Sequence, residues 1–263
     1  MKKQLSAAAA LLLTLSLFGC AQAAPTTAPE TTEAVTTEAV TTASAETTAA
    51  SQTGDPAALA AYRETLTKIR ENSAWPDGTQ IEIFEPATMD DEQFAVCDVD
   101  GDGEPELLVS VSDTYSAGMR EAVYGYDAAS GQVKEKALAF PGCAYYPGLI
   151  KDLSSHNHGY AGEVLWPYAI DTYDAGAGEY VYAYYVDAWV KELSDTYFDG
   201  TKYPENIDVN GDGYVYLITD KDGNMTILNK TDYEAWEKEQ FGGLTPIDIP
   251  WQTMTAENIS AVG

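Results

Sequence analysis

Between residues 21 and 54 the chain carries no aromatic and no basic side chain. The segment is almost entirely Thr, Ala, Glu, Pro, Ser and Val, with Thr31-Thr-Glu-Ala-Val35 repeated as Thr36-Thr-Glu-Ala-Val40. It offers too little apolar surface to offset its conformational entropy, so it is expected to stay disordered. Extended it would reach about 110 Å; as a coil it would span roughly 30–35 Å. Any packed core must therefore come from residues 55–263, a length that suits one domain.

The residues ahead of this linker divide by chemistry. Lys2 and Lys3 precede an apolar run, Ala7 to Phe18, that is too short for a permanent bilayer span. The run ends in Leu17-Phe18-Gly19-Cys20, which resembles a bacterial lipobox. The resemblance implies a signal peptide over 1–19, cleavage after Gly19 and a diacylglycerol thioether on Cys20. Several acyl chains, palmitate among them, hold more firmly than one, since each buried methylene contributes about 0.8 kcal/mol. The expectation is a lipoprotein on the extracytoplasmic face of the cell membrane, with 20–54 as tether.

Fourteen basic residues stand against 42 acidic ones, a formal charge of −28. Loss of Lys2 and Lys3 would take it to −30. Such a polyanion repels nucleic acid and anionic headgroups. Cys97 and Cys143 can pair outside the cytoplasm, but two cysteines make no disulfide framework. Cys97 reads equally well as a small buried apolar residue.

Asp55-Pro56 is a helix start, with Asp at the N-cap and Pro in the first turn. Leu59, Tyr62, Leu66 and Ile69 then fall at helical spacing, and Trp75-Pro76-Asp77-Gly78 ends the pattern. Strand-like runs follow at Ile81–Phe84, Phe94–Cys97, Glu106–Val111, Ala122–Tyr126, Gln132–Lys136, Tyr168–Ile170, Tyr180–Val186, Tyr214–Ile218 and Met225–Leu228. Thr231-Asp-Tyr-Glu234 reads as a capping box, and Thr255–Val262 as a last helical turn. The expected class is α+β: a mainly antiparallel sheet of about eight strands, single or partly propeller-like. An N-terminal helix and a short C-terminal helix flank it.

Two segments repeat one spacing. Asp98-Val-Asp100-Gly-Asp102-Gly103-Glu104-Pro-Glu106 aligns with Asp208-Val-Asn210-Gly-Asp212-Gly213-Tyr214-Val-Tyr216. Carboxylates packed this closely repel unless a cation sits among them. Calcium takes six to eight hard oxygens, and alternate side chains of a tight loop can supply them. In the first loop Asp98, Asp100, Asp102, the Glu104 carbonyl and Glu106 are the candidate ligands. In the second they are Asp208, Asn210, Asp212 and the Tyr214 carbonyl. Neither is an EF-hand, because position 12 is Val109 or Thr219 and the flanks are strands. The first loop, over Asp98–Val109, resembles the calcium loop of FG-GAP and VCBS repeats, with Glu106 in place of the final Asp. In that family such loops brace propeller blades, which implies a structural ion. The second resembles the start of a dockerin repeat as far as Gly213. An Asp/Gly turn without an ion is the alternative for both.

Weaker signals remain. His156 and His158 are the only histidines, and a zinc site would need a further ligand. No nucleophile elbow, P-loop or His-Glu-x-x-His motif occurs. A hydrolase needs only two carboxylates, and 42 acids do not nominate a pair. Tyr180, Tyr182 and Tyr184 alternate along one predicted strand, with Tyr145, Tyr146 and Trp166 upstream. Such a row can stack on a glycan or protein ligand, or pack a sheet against a helix. The reading is a calcium-stabilised, lipid-anchored, non-enzymatic binding module. The alternatives are a glycan or cell-wall hydrolase using paired carboxylates, and a structural envelope protein.

Overall fold

A computed structural model describes residues 54–153 and 157–263. Cys20, the signal-like segment, the linker up to residue 53, and Ser154, Ser155 and His156 lie outside the described residues. No helix among the described residues is long and apolar enough to cross a membrane.

Helix α1 runs Pro56–Asn72. Asp55 caps it by accepting the Ala57 N–H at 2.9 Å, and Ser73 closes it in a left-handed conformation, φ 45°. Its buried stripe is Ala58, Leu59, Tyr62, Leu66 and Ile69. The segment Ile81–Phe84 then forms no strand; only Gln80 bridges back, to Ala74. Its apolar residues serve as packing: Ile81 is buried and Ile83 lies against the helix-side core.

The architecture is mainly antiparallel β with a few helices, and the strands divide between two sheets. The first contains β1 (Gln93–Cys97), β2 (Glu106–Val111), β3 (Arg120–Asp127), β4 (Gln132–Ala139) and, from the C-terminus, β11 (Gln252–Thr253). Its order is β11-β1-β2-β3-β4. The second contains β5 (Ala144–Tyr146), β6 (Leu149–Asp152), β7 (Tyr168–Asp174), β8 (Glu179–Val190), β9 (Tyr214–Asp220) and β10 (Met225–Leu228). Its order is β10-β9-β8-β7-β6-β5.

Burial on two faces is the reason for the division. Every residue of β2 is buried. Leu107, Val109 and Val111 pack under α1, while Leu108 points to the other face, among Ala95, Val123, Tyr145, Ile150 and Tyr180. A strand without polar alternation needs cover on both sides. Here α1 supplies one cover and the second sheet the other. The β5–β6 hairpin, turned at Pro147-Gly148, carries Tyr145 and Ile150 into that interface. Neither strand was among the runs recognised in the sequence, since three and four residues are too few to show a period.

Helix α2 (Lys230–Phe241) covers the far face of the second sheet, where Tyr233 stacks on Tyr216 at 3.7 Å between centroids. Its cap is Asn229, which accepts the Asp232 N–H, so the helix begins two residues ahead of the start expected from the Thr231 box. Asn229 offers its side-chain oxygen in the extended conformation an N-cap needs. Helix α3 (Ala256–Ser260), capped by Thr255, packs beside α1 with Ile259 and Val262 buried.

Candidate functional site

The first acidic loop lies where the two sheets meet. Asp98 accepts the N–H groups of Gly101 (2.7 Å) and Gly103 (2.9 Å) through separate oxygens. Both glycines sit at positive φ, 83° and 93°, which lets the chain wrap round the carboxylate. Asp100 accepts from Asp102 N–H at 3.0 Å, and Asp102 from Glu104 N–H at 2.8 Å. Glu106 reaches back to accept the Val99 N–H at 3.0 Å. The Val99 carbonyl in turn accepts from Gly148 N–H (3.0 Å) and the Tyr180 hydroxyl (2.9 Å), both in the second sheet. The loop thus stitches one sheet to the other.

Among the described residues, one group of three carboxylates converges closely enough to hold a metal ion. Asp98, Asp100 and Glu106 each offer an oxygen within 4.8 Å of the others. Asp102 and Glu104 do not join them. Both are exposed, and the Glu104 side chain accepts the Asp55 N–H at 3.3 Å.

A cation is already present, and it comes from the chain. The Lys136 ammonium donates to Asp100 at 2.6 Å and to Glu106 at 2.7 Å. The two carboxylate side chains are 0% and 2% exposed and that of Lys136 14%, so the triad is desolvated. Burial is the largest influence on Glu106 and pushes its carboxyl up to about 7, against the opposing hydrogen bond from Lys136. The lysine is held above its ordinary range by its two carboxylates, which outweigh its own burial.

Lys136 reaches this place through a backbone irregularity. On β4, Ala137 pairs with Val123 and Glu135 with Tyr124, so Lys136 is the extra residue of a β-bulge. The bulge aims its side chain across β3 toward the start of β2. The stem passes over Gly125, where an added Cβ would lie 2.1 Å from Lys136 Cε. Its ammonium stands 5.1 Å from the Tyr173 ring centroid. Nothing in the sequence spacing marks Lys136, which is 30 residues from Glu106.

The second loop is organised differently. Asp208 accepts from Asp212 N–H (2.8 Å), Gly213 N–H (2.9 Å) and the Tyr203 hydroxyl (3.0 Å). Hydrogen bonding holds its carboxyl below the usual range despite burial. Asn210 and Asp212 are exposed and Tyr214 is half-buried, and no second trio of carboxylates gathers here among the described residues. Of the expected ligands, the structure brings together Asp98, Asp100 and Glu106 alone.

The three tyrosines of β8 do not share a face. Ile170 pairs with Tyr184 and Asp171 with Tyr182, so Ala183 is the unpaired residue of a bulge. Beyond it the alternation inverts. Tyr180 is buried between the sheets, and Tyr184 packs edge-on against Trp236 of α2. Only Tyr182, 42% exposed, remains open to a ligand. Tyr145 is buried, with its hydroxyl on Glu121 at 2.8 Å, and Tyr146 leans on Phe241. Trp166 packs edge-on with His158, whose Nδ1 lies 3.3 Å from the Leu165 carbonyl. Cys97 and Cys143 are free thiols, and Cys143 donates to Glu121 at 3.0 Å.

No protein-family model, curated protein or solved structure matches this chain.

Proposed function

We propose that this chain is a lipid-anchored, extracytoplasmic, non-enzymatic binding module whose acidic loop 98–106 takes calcium as a structural brace. One observation carries the structural half of this reading. The convergent carboxylates of Asp98, Asp100 and Glu106 hold backbone N–H groups and a sheet junction. A cation there stiffens a framework, whereas a catalytic pair would face a substrate groove. Calcium would draw on the oxygens that Lys136 now shares, so ion and ammonium compete for Asp100 and Glu106. The FG-GAP and VCBS-like spacing of the loop supports the same role. The lipobox-like Leu17–Cys20 and the acidic linker support an anchored, outward-held domain, where millimolar calcium meets weak sites of about 10⁻⁴–10⁻³ M.

Two measurements test this. Chelation should lower the melting temperature and added calcium should restore it; indifference to both removes calcium from the proposal. Cys20→Ser should move the protein out of the membrane fraction, and unchanged retention would mean another anchor.

A further inference from the structure

Lys136, Asp100 and Glu106 bring a nitrogen, a carboxyl carbon and a second carboxyl group into one desolvated site. The lysine nitrogen lies 2.6 Å from Asp100 Oδ2 and 2.7 Å from Glu106 Oε1. Each acid is fixed from its other oxygen. Asp100 Oδ1 accepts the Asp102 N–H at 3.0 Å, and Glu106 Oε2 accepts the Val99 N–H at 3.0 Å. The lysine is held as well, with its stem close over Gly125 and the Tyr173 ring centroid 5.1 Å from its nitrogen. The contact to Oδ2 puts the Asp100 carboxyl carbon about 3–3.5 Å from that nitrogen, the separation of a near-attack arrangement. Oxygens of Glu106 and Asp100 lie within 4.8 Å of each other, so Glu106 can reach both reacting groups.

We propose that Lys136 and Asp100 condense into an intramolecular isopeptide bond, with Glu106 carrying the protons. The ion pair is the resting state. From it, the Lys136 ammonium gives a proton to Glu106, which passes it to the Asp100 carboxyl group. Burial lowers the cost of that exchange, because a desolvated site penalises charged forms. The amine nitrogen attacks Asp100 Cγ, and the Asp102 N–H steadies the oxygen on which charge develops. Glu106 takes a second proton from the nitrogen and delivers it to the departing oxygen. One N–C bond forms, one C–O bond breaks and one water leaves. An ammonium and a carboxylate become a neutral amide, so charge balances and no co-reactant enters. The product replaces a buried ion pair that is costly to desolvate.

The competing reaction of an Asp-Gly pair is ring closure by the next backbone nitrogen. Here the Gly101 N–H is hydrogen-bonded to Asp98 Oδ1 at 2.7 Å, which ties up the nitrogen that ring closure needs. The isopeptide bond would join the loop between β1 and β2 to β4, 36 residues away, across β3. The inference goes beyond the calcium reading and does not depend on it. Asp98, Glu106 and the new amide oxygen stay available to an ion.

The test is mass spectrometry of tryptic digests of the full chain, purified in chelator and unfolded before digestion. The expected species joins residues 71–120 to 135–151 and is lighter than the two peptides together by one water, with cleavage after Lys136 lost. Lys136→Arg keeps the charge and should abolish it. Glu106→Gln removes the proton carrier at nearly constant size and, at equal times after synthesis, should cut the linked fraction about tenfold or more. Release of free 137–151 from the native chain, with 71–120 at full mass, overturns the proposal. Water loss confined to 71–120 is ring closure at Asp100-Gly101 and overturns it too. An unchanged linked fraction in Glu106→Gln overturns the role given to Glu106. The calcium reading is scored by melting temperature, so either can fail alone.

Discussion

Replacing Lys136 by Met removes the ammonium and keeps most of the stem over Gly125. Asp100 and Glu106, 0% and 2% exposed at their side chains, would then face each other without a counter-charge. Breaking a buried ion pair from one side costs about 3–5 kcal/mol, because the remaining charge stays desolvated. In a domain of this size each kcal/mol shifts the melting temperature by about 2–4 °C, so a fall of about 10 °C is expected. Calcium should reverse most of it. At 10 mM calcium and a dissociation constant near 10⁻⁴ M, binding adds about 2.7 kcal/mol to the folded state. The native chain should gain less, because its lysine already holds two of the three carboxylates. The assay is thermal or urea unfolding of both proteins in chelator and in 10 mM calcium. A fall below about 2 °C would refute the buried-triad energetics. An equal calcium response in the two proteins would refute the competition between ion and ammonium.

Two further outcomes follow from the same geometry. Gly125→Ala places a methyl group where the Lys136 stem runs, so it should mimic Lys136→Met, including the enlarged calcium response; unaltered unfolding would show that the stem has another route. For pH, Asp171 has a folded value of about 6, above the ordinary carboxylate range, and Asp152 and Asp187 are raised in the same direction. The contribution of Asp171 to stability is complete below about pH 4 and is lost as pH rises through 6. Discounted for partial exposure, Asp171 alone accounts for about 1–2 kcal/mol. Asp171→Asn should flatten the urea midpoint between pH 4 and 7, and parallel profiles for the two proteins would contradict this.

The local rules carried far in this chain because they depend on neighbours in sequence. The Asp55-Pro56 start and the Leu59, Tyr62, Leu66, Ile69 stripe became α1 as spaced. The runs Ala122–Tyr126 and Gln132–Lys136 became neighbouring strands, as did Tyr214–Ile218 and Met225–Leu228, and the Asp98–Glu106 spacing wrapped its backbone round Asp98. Runs such as Glu106–Val111 read as strands, but nothing local said that both faces would be buried or what would bury them. That choice belonged to long-range packing, which set α1 on one face and a second sheet on the other.

Two one-residue bulges then decided the surfaces that bear on function. At Ala183 the alternation inverted, so that Tyr184 turned to α2 while Tyr180 and Tyr182 kept the other face, one buried and one open. At Lys136 a side chain 36 residues from Asp100 turned inward and became the counter-ion of the acidic loop. A bulge arises from the register of two strands, and register is a property of the pair. The sequence alone therefore determined a crowding of carboxylates that a cation would relieve, and only the tertiary structure decided that Lys136 of the same chain stands among them.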